Sequence, residues 1–293
     1  MSSPFCFLKQ ALGFLVLLTL SMLAMSQDAP RHDYKVIWDV AYTAPGWPQA
    51  LQGDLYVPEG QGPFAAVLVV HGGSWQHGDK SDMAPICRDL ARRGYVAFTV
   101  NYRLAPQYLY PAPILDLQVA VRWLHAHADE YHLDPAHTGA WGYSAGAHLV
   151  ALLGTLHAGD ALATPDTTLQ AVVSGGTPAD LRKWPHSPLV GIFLGKNGIE
   201  APALYAEASP VVHVTTATPP FFLYHGTADT LVEPDQAMGM EAALKAAGVP
   251  VQLYWVNGHG HIYTALFPGK AVDEGLDFLD AHLKPVASMA NGH

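Results

Sequence analysis

Thr138-Gly-Ala-Trp-Gly-Tyr-Ser-Ala-Gly-Ala-His-Leu-Val-Ala-Leu-Leu-Gly-Thr155 decides the fold. It reads as a short strand, Thr138 to Gly142, running into an apolar helix that starts at Ala145 and reaches Leu156. At the junction stands Gly142-Tyr-Ser-Ala-Gly146, a G-x-S-x-G pattern in the strand-to-helix context that gives the pattern meaning. The glycines give the turn room, and the serine side chain is thrust out above the strand ends. The helix N-terminus aims at the same point, where its unpaired N–H groups favour an anion.

The same alternation continues on both sides. Ala65-Ala-Val-Leu-Val-Val-His71 is a continuous apolar run, the mark of a strand buried on both faces. Tyr95–Val100, Leu169–Ser174, Pro220–His225 and Val251–Val256 read as further strands. Between them the pattern predicts helices over Asp82–Arg93, Pro113–Tyr131 and Glu233–Ala247, and a last one marked by Val272, Leu276, Leu279 and Leu283. Ahead of the run, Val36–Tyr42 and Gln52–Val57 look like a closely joined pair, hence an antiparallel edge. The expectation is an α/β fold: a mostly parallel twisted sheet of about eight strands with helices on both faces. Residues 27–286 are expected to form a single domain and 287–293 a loose tail. A lid would come from Asp180 to Val214, an irregular stretch with a short helical piece around Pro202–Ala208.

The 293 residues are half hydrophobic and 14% charged, enough for a large apolar core. With 15 Lys+Arg against 25 Asp+Glu the formal net charge is -10, which argues against nucleic acid as a partner. The stretch from Ala11 to Met25 is almost wholly apolar, and Ala24 and Ser26 precede Gln27. It reads as a signal peptide over residues 1–26, cleaved near Ser26 and directing the protein to the periplasm or outside. The alternative is an uncleaved anchor, but an apolar run of about 15 residues is shorter than the roughly 20 a spanning helix needs. Past that segment only Cys87 remains, so no internal disulfide is expected. Cys87 reads as a small buried hydrophobe.

A serine hydroxyl needs a base to take its proton, and the base needs an acid to orient it. Chain order Ser, acid, His puts the base in Asn257-Gly-His-Gly-His261, just past a strand. His259, flanked by Gly258 and Gly260, is taken as the base, with His261 as its rival. Asp229, in His225-Gly-Thr-Ala-Asp229, is the acid, with Asp235 and Asp180 as weaker candidates; a helix-capping role would also explain it. Oxyanion donors are expected from Ala145, which follows the nucleophile, and from His71-Gly-Gly-Ser-Trp75, where Gly72 and Gly73 allow the turn and Gly73 and Ser74 offer N–H groups. His71 is read as a brace for that loop. Trp75 and Tyr143 are candidates for the substrate pocket, as are Tyr108, Tyr110, Trp184 and Phe193, although each could equally be core. Scattered histidines and the lack of an H-E-x-x-H motif argue against a metal site.

Six motifs in order carry a resemblance: His71-Gly-Gly-Ser-Trp75, Asn101-Tyr-Arg-Leu-Ala-Pro106, Gly142-Tyr-Ser-Ala-Gly146, Ala208-Ser-Pro-Val211, His225-Gly-Thr-Ala-Asp229 and Gly258-His-Gly260. Together, over roughly Tyr34 to Pro285, they resemble the esterase/lipase families of α/β-hydrolases with an H-G-G-x-W loop. The bacterial feruloyl and acetyl-xylan esterase-like proteins are the nearest in kind, with hormone-sensitive-lipase-like esterases and arylformamidases as cousins. The resemblance implies an α/β-hydrolase fold, a Ser144, Asp229, His259 triad and no cofactor. It also implies cleavage of short-chain acyl, aryl or sugar esters, the substrate being a small molecule or polysaccharide-linked. Ser74 stands where the lipase-like relatives carry Gly, and those relatives have a larger N-terminal cap, so the expected cap is small or absent. An amide hydrolase such as an arylformamidase, or an inactive binding protein on the same fold, are the alternatives.

Overall fold

A computed structural model describes residues 31–284 of the chain. The expected signal peptide lies outside the described residues, as does the expected tail. Its strands are β1 (Tyr34–Ala41), β2 (Gln52–Pro58), β3 (Phe64–Val70), β4 (Val96–Val100), β5 (Leu133–Tyr143), β6 (Ala171–Gly175), β7 (Phe221–Gly226) and β8 (Val251–Val256). The helices are α1 (Ala84–Arg92), α2 (Ala112–Ala126), α3 (Ala128–Tyr131), α4 (Ala145–Thr155), α5 (Pro188–Leu194), α6 (Pro202–Glu207), α7 (Asp235–Ala246), α8 (His261–Leu266) and α9 (Ala271–Leu283). All eight strands form one sheet in the order β1-β2-β4-β3-β5-β6-β7-β8. β2 pairs antiparallel with β1 and with β4; every later pair is parallel. This is the α/β-hydrolase architecture that the residue patterns and the motifs predict.

β3 explains the two-sided core. Ala66, Leu68 and Val70 fall in one apolar cluster, with Ile114 and Leu117 of α2 and Leu149 of α4. Ala65, Val67 and Val69 fall in the other, with Cys87 and Leu90 of α1 and Leu279 and Leu283 of α9. Alternate side chains of a strand point to opposite faces, so a run apolar at every position must have helices on both. Cys87 is fully buried, and burial pushes its thiol far above the usual range, as befits a core residue rather than a nucleophile.

Two local readings change. The helix expected over Pro113–Tyr131 breaks at His127, whose ring Nδ1 lies 2.8 Å from the Trp123 carbonyl and stacks on the Trp123 ring at 4.1 Å. The same carbonyl still accepts the His127 N–H at 3.2 Å, and the helix ends because His127 itself, at φ -109° and ψ 22°, leaves the helical conformation. The Asp180–Val214 stretch holds more helix than expected. Besides α6 it forms α5, opened by Ser187, whose hydroxyl accepts the Val190 N–H, with Pro188 in the first turn. Gly195, at φ 74°, stops it after seven residues, too few for a periodic signal.

The chain steps from β3 to β4 on one side and then to β5 on the other, so the order reverses at β3. Val70 is paired with Gly142 across that point, and the loops leaving β3 and β5 emerge side by side. A crevice at such a switch point is where open α/β sheets place their sites.

Candidate active site

Ser144 sits between β5 and α4 with φ 54° and ψ -120°, a left-handed conformation that costs a non-glycine residue about 1–3 kcal/mol. The turn holds because its neighbours approach closely: a Cβ at Gly146 would lie 2.1 Å from the Val70 carbonyl, and one at Gly142 2.4 Å from the Gly146 carbonyl. The Ser144 amide donates to Gly175 at 2.8 Å, tying the turn to β6.

The Ser144 hydroxyl lies 2.7 Å from Nε2 of His261, and Nδ1 of His261 lies 2.7 Å from Oδ2 of Asp229. This corrects the choice of His259. β8 ends at Val256, and the chain needs the turn through Gly258, at φ 76°, before it arrives over Ser144; only the first residue of α8 does so. His259 instead works through its backbone: its carbonyl accepts the Ala228 N–H at 3.0 Å, which locks the base loop against the acid loop. Its ring packs edge-on to Tyr263 at 4.5 Å.

Asp229 leaves the C-terminal end of β7 and is 3% exposed. Burial alone would raise its pKa. The donors from His225, His261 and the Val232 N–H outweigh burial and hold the carboxyl far below the usual carboxylate range. Its Oδ1 accepts the N–H groups of Leu231 at 3.0 Å and Val232 at 2.9 Å, so the carboxylate is fixed on both oxygens. Asp235 pairs with Lys183 at 2.7 Å, and Asp180 pairs with Arg182, so neither of the weaker candidates reaches the serine.

The His71–Trp75 loop leaves β3 beside the nucleophile. A Cβ on Gly72 would come within 3.3 Å of the Ser144 Cβ, so the backbone passes close to the serine. Gly73, at φ 109°, turns the loop and its carbonyl accepts from Gln76 and His77. Ser74 and Trp75 follow with φ 54° and 60°. Three successive residues with positive φ make a sharp turn in the loop beside the serine. Ala145 opens α4, so its N–H has no acceptor within the helix. His71 braces the loop: its ring stacks on Tyr102 at 4.4 Å, and the Tyr102 hydroxyl donates to its carbonyl at 3.1 Å. Burial lowers the His71 pKa, which keeps this ring neutral.

A cavity of about 220 Å³ opens at Ser144, with Ser74, Ala145, Trp75 and Trp184 in its walls. Residues the sequence did not single out complete it: Leu189 and Val190 of α5, and Leu231 and Glu233 beyond the acid. Tyr143 is not among the lining residues. Buried, it points its hydroxyl at the His261 carbonyl, 2.6 Å away. Phe193 and Tyr110 sit behind the walls, Phe193 stacking on Trp75 and the Tyr110 ring meeting Phe193 edge-on, while the Tyr108 hydroxyl donates to the Pro48 carbonyl. Among the described residues no helix is long and apolar enough to cross a membrane.

Comparison with known proteins bears on this arrangement. The BD-FAE family profile matches residues 53–244. The probable carboxylic ester hydrolase LipM of Mycobacterium tuberculosis is 32% identical over 197 residues, covering 63% of this chain and 46% of LipM. Esterase LipC of the same organism is 30% identical, covering 63% of this chain and 49% of LipC. The chain thus spans about half the length of these curated relatives. Among solved structures, the acetyl ester-xyloside bifunctional hydrolase from Caldicellulosiruptor lactoaceticus superposes with a TM-score of 0.71 at 26% identity, covering 87% of this chain and 98% of that one. The butyrate-bound esterase Est2 from Thermogutta terrifontis does so with a TM-score of 0.70 at 26% identity, covering 88% and 98%. With the profile spanning well over half of its residues, this chain belongs to the BD-FAE family.

Proposed function

We propose that the protein hydrolyses carboxylic esters with short acyl groups through an acyl-serine intermediate. The observation that carries this reading is the unbroken chain Ser144–His261–Asp229, with both links at 2.7 Å, at the mouth of a mainly apolar cavity. His261 Nε2 takes the Ser144 proton as Oγ attacks the ester carbonyl. Asp229, held ionised, fixes the His261 tautomer and stabilises the imidazolium. The tetrahedral oxyanion faces the N–H groups of Ala145 and the His71–Trp75 loop; one such donor is typically worth about 10²–10³ in rate. Collapse expels the alcohol, which takes the proton from His261. Water then attacks the acyl-serine, His261 receiving its proton and returning it to Ser144. LipM and LipC, described as ester hydrolases, and an Est2 structure with butyrate bound support the ester class and a short acyl chain.

The test is hydrolysis of p-nitrophenyl esters from acetate to decanoate. Wild type should turn over the shorter members, and Ser144→Ala and His261→Ala should each lose at least about three orders of magnitude. His259→Ala should keep its rate within about tenfold, since its ring does not touch the serine. An inert wild type, or a Ser144→Ala variant with full activity, would overturn the proposal. On the same footing we place the enzyme outside the cytoplasm; mass spectrometry of the recovered protein should find its N-terminus near Gln27, and a retained Met1–Gln10 segment would count against it.

A further inference from the structure

His148 lies one turn along α4 from Ser144 and is completely buried. Its amide donates to the Ser144 carbonyl at 2.9 Å. Both ring nitrogens are engaged. Nε2 is 2.7 Å from the Ala208 carbonyl, an acceptor, so Nε2 carries the proton. Nδ1 is then bare, and it accepts the indole N–H of Trp75 at 3.1 Å. Burial keeps this ring neutral, drawing its pKa down to about 4, which preserves the bare nitrogen the indole needs.

The indole is held on its face as well. It stacks on Phe193 with centroids 4.6 Å apart and planes 10° from parallel, while His148 meets both rings edge-on at 5.2 and 5.7 Å. Phe193 belongs to α5, and Ala208 follows α6. One imidazole therefore ties the nucleophile helix, the loop after β3 and the segment that covers the cavity. Trp75 is the wall common to all three, and it lines the cavity although only 3% of it is exposed.

We propose that His148 sets the acyl-chain length the enzyme accepts, its Nδ1 holding the Trp75 indole as a fixed wall of the cavity. This rests on the ester-hydrolase reading, with the cavity as the acyl site. A cavity of about 220 Å³ can enclose only a chain of limited length, and Trp75 stands in its wall. Freed from Nδ1, the indole can rotate off its wall position and the cavity lengthens. A histidine that only stabilises the core would, when replaced, lower activity on all chain lengths alike. A specificity residue changes the ratio between them.

The experiment compares kcat/KM on p-nitrophenyl acetate, butyrate, hexanoate and octanoate for wild type and three variants. His148→Phe keeps a ring and removes both hydrogen bonds. His148→Gln keeps a donor for Ala208 but loses the acceptor at the Nδ1 position. His148→Asn places its Oδ1 near where Nδ1 stood and keeps that acceptor. The octanoate-to-acetate ratio should rise about tenfold or more in His148→Phe and His148→Gln, the scale at which a few methylenes discriminate, and stay near wild type in His148→Asn. A ratio within about twofold of wild type in the Phe and Gln variants overturns the proposal, whatever happens to the overall rate. Should His148→Phe fail to fold, the Gln and Asn pair decides alone. A wild type inert on all four esters defeats the ester reading itself, a result distinct from an active enzyme with an unmoved ratio.

Discussion

The Tyr143 hydroxyl donates to the carbonyl of His261 at 2.6 Å, so the residue before Ser144 holds the backbone of the proposed base. Burial pushes its pKa far above the usual tyrosine range, so the group stays protonated and donating. Tyr143→Phe removes this hydrogen bond from the first residue of α8, at a cost of about 0.5–1.5 kcal/mol. We expect kcat on p-nitrophenyl acetate to fall about tenfold with KM little changed, because the base is displaced while the cavity is not. Steady-state kinetics check this, and an unchanged kcat would show that the base needs no such anchor. At this scale the sequence was legible in part. Ser144 and Asp229 stand at strand ends that the apolar runs mark, and the structure brings both to one point. His261 was not separable from His259, because a glycine on each side of His259 signals freedom but not where the turn delivers its side chain. Tyr143 was misread for want of a direction: spacing does not say which way a strand residue faces beside a sharp turn.

Helix α4 carries two opposed demands. Its first turn opens at the proposed oxyanion site, while its second holds a fully buried imidazole. His148 has a pKa of about 4 in the folded protein against about 6.5 when unfolded. Below 6.5 the unfolded chain binds a proton that the folded one refuses, so the contribution is intact above that pH and is lost as pH falls toward 4. By pH 4 it amounts to about 3 kcal/mol. His71, with its pKa also lowered by burial, acts in the same direction. Urea denaturation of wild type and His148→Asn between pH 7 and 4 should show a steep loss in wild type and a shallower one in the variant. Parallel curves would mean that His148 titrates normally. Elements of this length were legible where their period was long. The twelve-residue α7 was visible and the seven-residue α5 was not, since seven residues hold two turns and Pro188 disguises the first.

Across the whole molecule, one buried carboxylate joins parts of the chain that no local pattern connects. Asp116 of α2 is fully buried; its Oδ2 accepts the Arg103 N–H at 2.9 Å and its Oδ1 the Arg103 Nε at 2.8 Å. It also accepts the indole N–H of Trp47, 69 residues away, at 2.8 Å. The Arg103 guanidinium lies over the rings of Trp47 and Tyr108, at 5.3 and 5.4 Å. The mostly parallel sheet could be anticipated, because continuous apolar runs such as β3 imply two covered faces and strands joined through helical crossovers lie parallel. The Asn101-Tyr-Arg103 motif was visible only as a resemblance, since nothing in its spacing points to Asp116 or Trp47. Removing one partner of a buried pair strands the other, so Asp116→Ala should cost about 3–5 kcal/mol in urea denaturation. Replacing both partners by apolar groups removes the stranded charge, so Asp116→Ala with Arg103→Met should recover part of that loss. A cost below about 1 kcal/mol in the single variant would show that water reaches Arg103 when its partner is gone. Failure of the second substitution to recover stability would shift the weight from the charge pair to the Trp47 and backbone hydrogen bonds that Asp116 also accepts.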